Sequence, residues 1–440
     1  MKLSGWGRYP VIDTEVTKPR SAESLRMDVL RGRMIARGNG RAYGDSAVAR
    51  GKTIDMRAFN RLIAFNAENG QVIAEAGVTL EEIIAAFLPC GWFPAVTPGT
   101  KFVTIGGMVA SDIHGKNHHL EGSFGNFVDW FDLMGPDGAI SRCSREENPD
   151  LFAWTIGGMG LTGVILTVAF RLRPVKTGWI RQQTLVAANV TDAIRLFEDN
   201  ASATYSVAWI DCLSEGDTLG RSLVMLGEHA TETDLSGAQR ADIFATKKKR
   251  KLTIPLDAPP GLLNTWSVRT FNALYYANGR RKPKESLVDW DSYFYPLDAI
   301  LGWNRIYGRK GFLQFQNVLP LDNADKGLRE LLSRIAASGS GSFLAVLKRF
   351  GEQDSRFSFP MAGYTLALDF PVTEANFALM DELDQISIAH GGRFYLAKDA
   401  RLTGRTLRQA DPRVRDFTAM RKENGLRTHF LSAQAERLDL

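Results

Sequence analysis

The chain is predicted to fold as an α+β protein, and three observations carry that prediction. Short apolar strands and a well-capped helix alternate with glycine-rich loops up to about Lys176. The glycines gather in three separated clusters, which suits one long ligand lying across several backbone turns. From Ile180 to about Gly392 strands and helices continue without such loops, as in an α+β cap with several antiparallel strands.

Taken in order, Ser21–Arg31 is a candidate helix and Arg33–Ala36 a short buried strand. The strand runs into Ala36-Arg37-Gly38-Asn39-Gly40-Arg41-Ala42-Tyr43-Gly44-Asp45-Ser46. Glycine admits positive φ and close ligand approach, and successive N–H groups in such a loop can converge on an anion. Arg37 and Arg41 add positive charge. The spacing is not a dinucleotide fingerprint, because the third glycine is misplaced and no regular helix follows. On these residues alone an anion-binding loop and an ordinary glycine turn both stand.

Thr53–Met56 and Gln71–Ala76 are expected strands. Thr79 and Glu82 make a capping box for a helix with Leu80, Ile83, Ile84 and Phe87 at helical spacing, ended by Pro89. The second glycine cluster runs from Pro98-Gly99-Thr100 through Thr104 and His114 to Asn126, and the third spans Gly157–Ile165. Leu161–Pro174 alternates like a closing strand. In the middle, Thr204–Asp211 and Phe312–Leu319 are expected strands, and Asn323–Ala337 and Glu374–His390 expected helices. Arg393–Lys398 is expected as a strand returning to the first domain, followed by a helix over Arg401–Arg408. The expected division is 1–176, 177–392 and 393–440, with both ends in one domain.

The chain has 440 residues, 44% apolar and 23% charged, so it holds more than one packing unit. A net charge of +5 favours anionic ligands but is too weak to imply nucleic acid. Cys90, Cys143 and Cys212 are widely spaced and read as free thiols in a reducing compartment. Met1–Gly7 lacks the apolar core of a signal peptide, and no stretch has the roughly 18 apolar residues of a membrane span. The expected location is cytoplasmic.

His114, His118 and His119 fall within six residues. A metal site, a solvated polar loop and a proton-handling site are the alternatives; no metal is expected, because no partner carboxylate or cysteine is obvious. Lys247–Lys251 and Arg280–Lys284 are basic runs beside apolar and aromatic residues. A solvated loop, an anionic lipid surface and nucleic acid are the alternatives, and no recognition module supports the last.

Together, Ala36–Asp45, Asp112-Ile113-His114-Gly115-Lys116-Asn117-His118-His119, Gly122–Asn126, Gly160-Leu161-Thr162-Gly163, Trp303-Asn304-Arg305, Gly311–Gln316 and Ala397-Lys398-Asp399 form a pattern over almost the whole chain. The pattern resembles flavoproteins of the vanillyl-alcohol oxidase type. Within them it is most similar to the branch acting on polyprenylphosphoryl pentoses. The resemblance implies a two-subdomain FAD-binding fold plus an α+β cap with an antiparallel sheet. It implies oxidation of the 2′-hydroxyl of a polyprenylphosphoryl ribose to the keto sugar, first half of an epimerisation to arabinose. The implied partners are a quinone or another electron acceptor, a separate NAD(P)H-dependent reductase and peripheral contact with the inner membrane. A flavin oxidase of a soluble sugar or alditol, and a silent basic membrane-binding homologue, are the alternatives.

The resemblance places FAD on Ala36–Ser46, on Gly99, Thr100, Thr104, Ile105, Gly106 and Gly107, on Ser111, Asp112, Ile113, His114, Gly115 and Asn117, and on Gly163, Val164, Ile165 and Tyr395. Lys398, His114 and Tyr395 are the implied catalytic residues, with Lys398 a base or an electrostatic stabiliser. Tyr43, Gln314, Gln316, Lys348, Thr365, Ala367 and Lys398 are the implied substrate contacts. Four departures stand out. Arg41 occupies the place of a histidine that links covalently to FAD in many relatives, which predicts non-covalent FAD. Ala367 replaces a cysteine that captures nitroaromatic inhibitors. Thr365 and Phe294 replace an asparagine and a pocket tyrosine.

Overall fold

The computed structural model describes residues 1–247, 251–259 and 261–440. Lys248, Lys249 and Arg250 of the first basic run lie outside the described residues.

Three sheets organise the chain. β1 (Glu15–Thr17), β2 (Met34–Arg37) and β3 (Lys52–Asp55) form a small parallel sheet in the order β1-β3-β2, with α1 (Ala22–Val29) between the first two strands. β2 and β3 match the predicted strands to within a residue. Asp55 ends β3 because its carboxylate accepts the N–H of Arg57, turning the chain into a short 3₁₀ helix.

The second sheet is antiparallel and holds β4 (Leu62–Asn66), β5 (Gln71–Glu75), β6 (Trp92–Pro94), β7 (Val128–Met134), β8 (Ile140–Ser144) and β9 (Val164–Pro174). Its order is β8-β7-β9-β5-β4, with β6 on the far end of β9. The long β9, bulged twice, holds the sheet together. α2 (Leu80–Phe87) has the predicted capping box and buries Leu80, Ile83, Ile84 and Phe87. Fully burying such side chains is worth roughly 1.5–3 kcal/mol each. α3 (Ile105–Ala110) is a short helix inside the second glycine cluster.

The third sheet has eight strands, all paired antiparallel: β10 (Trp179–Ala187), β11 (Tyr205–Ile210), β12 (Ser222–His229), β13 (Glu285–Asp289), β14 (Phe312–Pro320), β15 (Ala345–Phe350), β16 (Gly363–Pro371) and β17 (Arg393–Phe394). Their order is β13-β10-β12-β11-β15-β16-β14-β17. α4 (Val190–Asp199), α6 (Leu321–Ser338) and α7 (Glu374–Ala389) pack on one face, where Leu328, Leu331 and Ile335 meet Phe315, Leu319 and Leu347. Between β12 and β13 lies α5 (Thr265–Arg281).

Two expectations are corrected near the end of the chain. The strand expected over Arg393–Lys398 stops at Phe394, and it extends the eight-stranded sheet through Asn317 and Val318. Lys398 N–H donates to the Tyr395 carbonyl at 2.9 Å, closing a turn in place of the rest of that strand. The helix expected over Arg401–Arg408 is α8 (Gly404–Ala410). The Asp399 carboxylate accepts the N–H groups of Arg401 and Leu402, holding them outside the helix, and Thr403 is the N-cap. α9 (Ala433–Leu438) then returns to the first glycine loop.

Candidate active site

The first glycine loop is a cradle of free backbone donors. β2 delivers the chain to Gly38, and among the described residues none accepts from the N–H groups of Gly38, Asn39, Gly40, Arg41 or Ala42. Half-buried donors in a row need an external acceptor. The loop leaves no room for side chains: a Cβ on Gly38 would lie 2.0 Å from Thr104 Oγ1, and one on Gly44 2.1 Å from the Asp399 carbonyl. Gly40 has φ +63. Arg37 is spent on bracing, donating to the carbonyls of Ser4 (2.8 Å) and Ala47 (3.3 Å). The Arg41 guanidinium lies over the rings of Trp6 (4.2 Å) and Phe102 (4.9 Å), and its buried Nε has no partner. Burial lowers its pKa, a sign of a cation without an adequate counter-charge.

Several residues expected to touch cofactor have structural work in the loops. Asp45 and Asp399 both accept from Arg437 on α9, at 2.7 and 2.9 Å, which ties the first loop to the turn carrying Lys398. Ser46 is buried. Thr100 donates to Asp298, and Gly99 is open. The N–H groups of Ile105 and Gly106 are taken by Val78 and Ala76, and a Cβ on Gly107 would meet only Thr104 Oγ1, at 3.2 Å. Asp112 is fully buried and accepts from Ser123, Gly125 and Gln353, so it fixes the bend before His114. Asn117 donates to the Ala95 carbonyl, and a Cβ on Gly115 would lie 2.6 Å from Asn117 Oδ1. Ile113, Val164 and Ile165 are core residues, and Gly163 packs on Leu133.

The polar cluster lies on the face of the eight-stranded sheet opposite α4, α6 and α7. In register, Gln314 and Gln316 of β14 stand opposite Asp369 and Ala367 of β16, and Lys348 of β15 stands opposite Thr365. Period-2 alternation puts all six on one face. Gln314 donates to Asp369, whose buried carboxylate lies beside the Tyr307 hydroxyl. Lys398 Nζ sits 3.6 Å above the Tyr43 ring. Burial pushes the Lys398 ammonium well below its ordinary range; Asp369 opposes that shift and Lys348 adds to it. Burial pushes Asp369 the other way, up, and the charge of Lys398 opposes that shift.

Gln316 bridges His114 Nε2 and Thr365 Oγ1, each at 3.2 Å. His114 packs among Phe350, Phe359 and Tyr395, and its buried Nδ1 has no partner. Burial and the positive charges of Lys348 and Lys398 depress its pKa far enough to keep it neutral. Tyr395 stacks on Phe359 and donates to the Ser111 carbonyl at 2.9 Å, so it positions the glycine loop beside His114.

Sequence reasoning passed over Lys116 and Asp369. Burial lowers Lys116 to about 7 and Lys348 to about 8, with Lys348 also repelling Lys116. Lys116, Lys348 and Lys398 form no ion pair within 4.0 Å among the described residues. Asp369 was findable, two residues beyond Ala367 and so on the same side of an extended strand; Lys116 carried no periodic signal. His118 and His119 are held by Gln353 and by the Ala203 carbonyl, away from any shared ligand. Phe294 is a core residue against Tyr205, with the Lys116 ammonium 5.8 Å from its ring.

Comparison with known proteins fits this geometry. The family described as FAD binding domain matches residues 28–144, which contain the free-donor loop and α3. Decaprenylphosphoryl-β-D-ribose oxidase of Mycolicibacterium smegmatis is 35% identical over 100% of this chain and 97% of its own length. The chain belongs to the decaprenylphosphoryl-ribose oxidase family. An uncharacterized protein of Streptomyces coelicolor is 32% identical over 82% of this chain and all of its own length. L-gulonolactone oxidase of Mus musculus is 32% identical over 31% of each chain. The protein is thus an FAD-dependent oxidoreductase of the ribose oxidase family. The free donors of Gly38–Ala42 and the uncompensated Arg41 fit the two phosphates of FAD.

Proposed function

We propose that the protein oxidises the 2′-hydroxyl of a polyprenylphosphoryl pentose, a ribose, to the 2′-keto sugar. The observation that carries this reading is the set of buried lysines Lys116, Lys348 and Lys398, none in an ion pair among the described residues, with Lys348 on the same sheet face as Gln314, Gln316 and Asp369. A phosphate offers the missing counter-charge, and the amides and carboxylate suit sugar hydroxyls. The name of the M. smegmatis relative supports the same substrate class.

FAD, when bound, accepts the hydride of the carbinol C–H. The chain handles the proton: Lys398 in its amine form takes the hydroxyl proton, and its lowered pKa makes that form available near neutrality. Asp369 receives or returns that proton. Neutral His114, held by Gln316, orients the sugar. The two electrons pass on to a quinone or another acceptor, and a separate NAD(P)H-dependent reductase completes the epimerisation to arabinose. The domains proposed are 1–176 and 393–440 around FAD, with 177–392 as the cap. FAD is held without a covalent link, since Arg41 offers no nucleophile at that place. Peripheral contact with a membrane belongs to the same reading.

The test is anaerobic bleaching of the flavin absorbance. Polyprenylphosphoryl ribose should bleach the wild type and leave Lys398→Ala coloured. Strong bleaching by free sugars or alditols, with none by the lipid-linked sugar, would replace this reading with that of a soluble-sugar oxidase. After acid precipitation the yellow colour should move to the supernatant; colour left in the pellet refutes non-covalent binding.

A further inference from the structure

Helix α5 is seventeen residues long, yet it buries only Val268, Asn272 and Tyr276, one narrow stripe at i, i+4 and i+8. Asn272 donates to Asp211 and Tyr276 to the Ala187 carbonyl, so the helix is firmly seated. Its exposed side sets large apolar residues beside Arg269, Thr270 and Asn278, where a soluble helix is mostly polar. Trp266 is 83% exposed and Leu274 66%, with Phe271 and Tyr275 also exposed and Leu262 exposed just before the helix. A contiguous exposed apolar patch marks an interaction surface. Its C-terminal end carries Arg280, Arg281, Lys282 and Lys284, all exposed and without an ion pair among the described residues. Apolar residues flanked by unpaired cations match an anionic bilayer surface in both hydrophobicity and charge.

Packed side chains connect this surface to the active site. Across the eight-stranded sheet one transverse row reads Gln316, Ala367, Val346, Trp209 and Leu223. Gln316 holds His114, and the Trp209 ring packs tilted against Tyr275 of α5 at 4.7 Å. A second line runs from Phe271 through Phe343, Tyr307 and Phe312 to Tyr43, each ring within 6 Å of the next. Tyr43 lies beneath Lys398.

We propose that the exposed face of α5 and its cationic end dock on an anionic lipid bilayer, with the aromatic lines from Tyr275 and Phe271 leading from the lipid surface to Lys398. The inference deepens the lipid-linked substrate reading and rests on it for the direction of travel; the docking itself is tested without substrate.

Full-length protein is pelleted with vesicles of phosphatidylcholine containing phosphatidylglycerol, and with vesicles of phosphatidylcholine alone. Binding to the anionic vesicles is expected, and it should be released by salt. Trp266→Ser with Leu274→Ser should lower the partition by about tenfold or more. Arg280→Gln with Arg281→Gln should lower it by about fivefold for each cation removed. These side chains are exposed, so flavin content and melting temperature should match the wild type. Equal binding to both vesicle types, or unchanged binding by both variants, overturns the proposal. So does a Trp266-dependent dimer in sedimentation with no vesicle binding, which makes the face a contact between copies. Flavin bleaching in detergent reads the substrate separately, so the two readings fail independently.

Discussion

Between Gly38 and Ala42 the protein offers a row of backbone N–H groups with Arg41 as its one charged side chain; on β14, β15 and β16 it offers side chains from three strands. The first region works by what it omits. Thr104 and the Asp399 carbonyl stand where a Cβ on Gly38 or Gly44 would be, so the cradle exists only as long as those residues are glycine. The second works by register: one residue of slip would send Gln314, Gln316, Asp369 and Lys348 to the face covered by α4, α6 and α7. A cofactor shared by many enzymes can be held by a local loop, whereas a substrate needs groups drawn from distant parts of the chain.

The sharpest way to separate the two regions is Lys398→Ala. It should cut kcat by about 10³-fold or more while leaving bound flavin intact, because the lysine handles the proton and the loop holds the phosphates. Loss of flavin along with activity would merge the two regions into one. Arg437→Ala should act on both at once: it strands the buried carboxylates of Asp45 and Asp399, a loss of about 3–5 kcal/mol in thermal or denaturant unfolding, with flavin loss to match. Gly44→Ala should cost about 1–3 kcal/mol and flavin occupancy, read by the absorbance ratio of the purified protein.

The pH profile sharpens the comparison further. If Lys398 acts as the amine, kcat/KM rises as pH climbs through its lowered pKa, and that limb disappears in Lys398→Ala. Phosphate binding needs the ammonium forms of Lys116 and Lys348, so KM should rise as pH passes about 7 and about 8 respectively. The smallest effect expected is Lys116→Met, about a tenfold increase in KM for the lipid-linked sugar with kcat and flavin content unchanged.

The glycine clusters, the capping box at Thr79 and the strands at Met34 and Phe312 were legible because each rests on local chemistry. β7 was not, since Asp129 and Asp132 interrupt its apolar pattern while pairing with Arg171 and Arg142 across the sheet. The strand expected to end at Lys398 failed because the Tyr395 turn and the Asp399 carboxylate hold the backbone in a conformation that strand spacing does not report. Lys116 escaped because its meaning lies in Lys348, far along the chain, and no local pattern joins them.

Arg437 closes the site from a great distance in sequence, 392 residues after Asp45. A ribosome therefore exposes every glycine of the first loop long before the guanidinium that anchors it. Until α9 docks, Asp45 and Asp399 are two like charges with nothing between them, and the loop lacks its tie to the turn that carries Lys398. Cofactor loading then becomes a late event in the life of the chain. A product stopped short of Arg437 should emerge colourless, although every residue of the cradle is present.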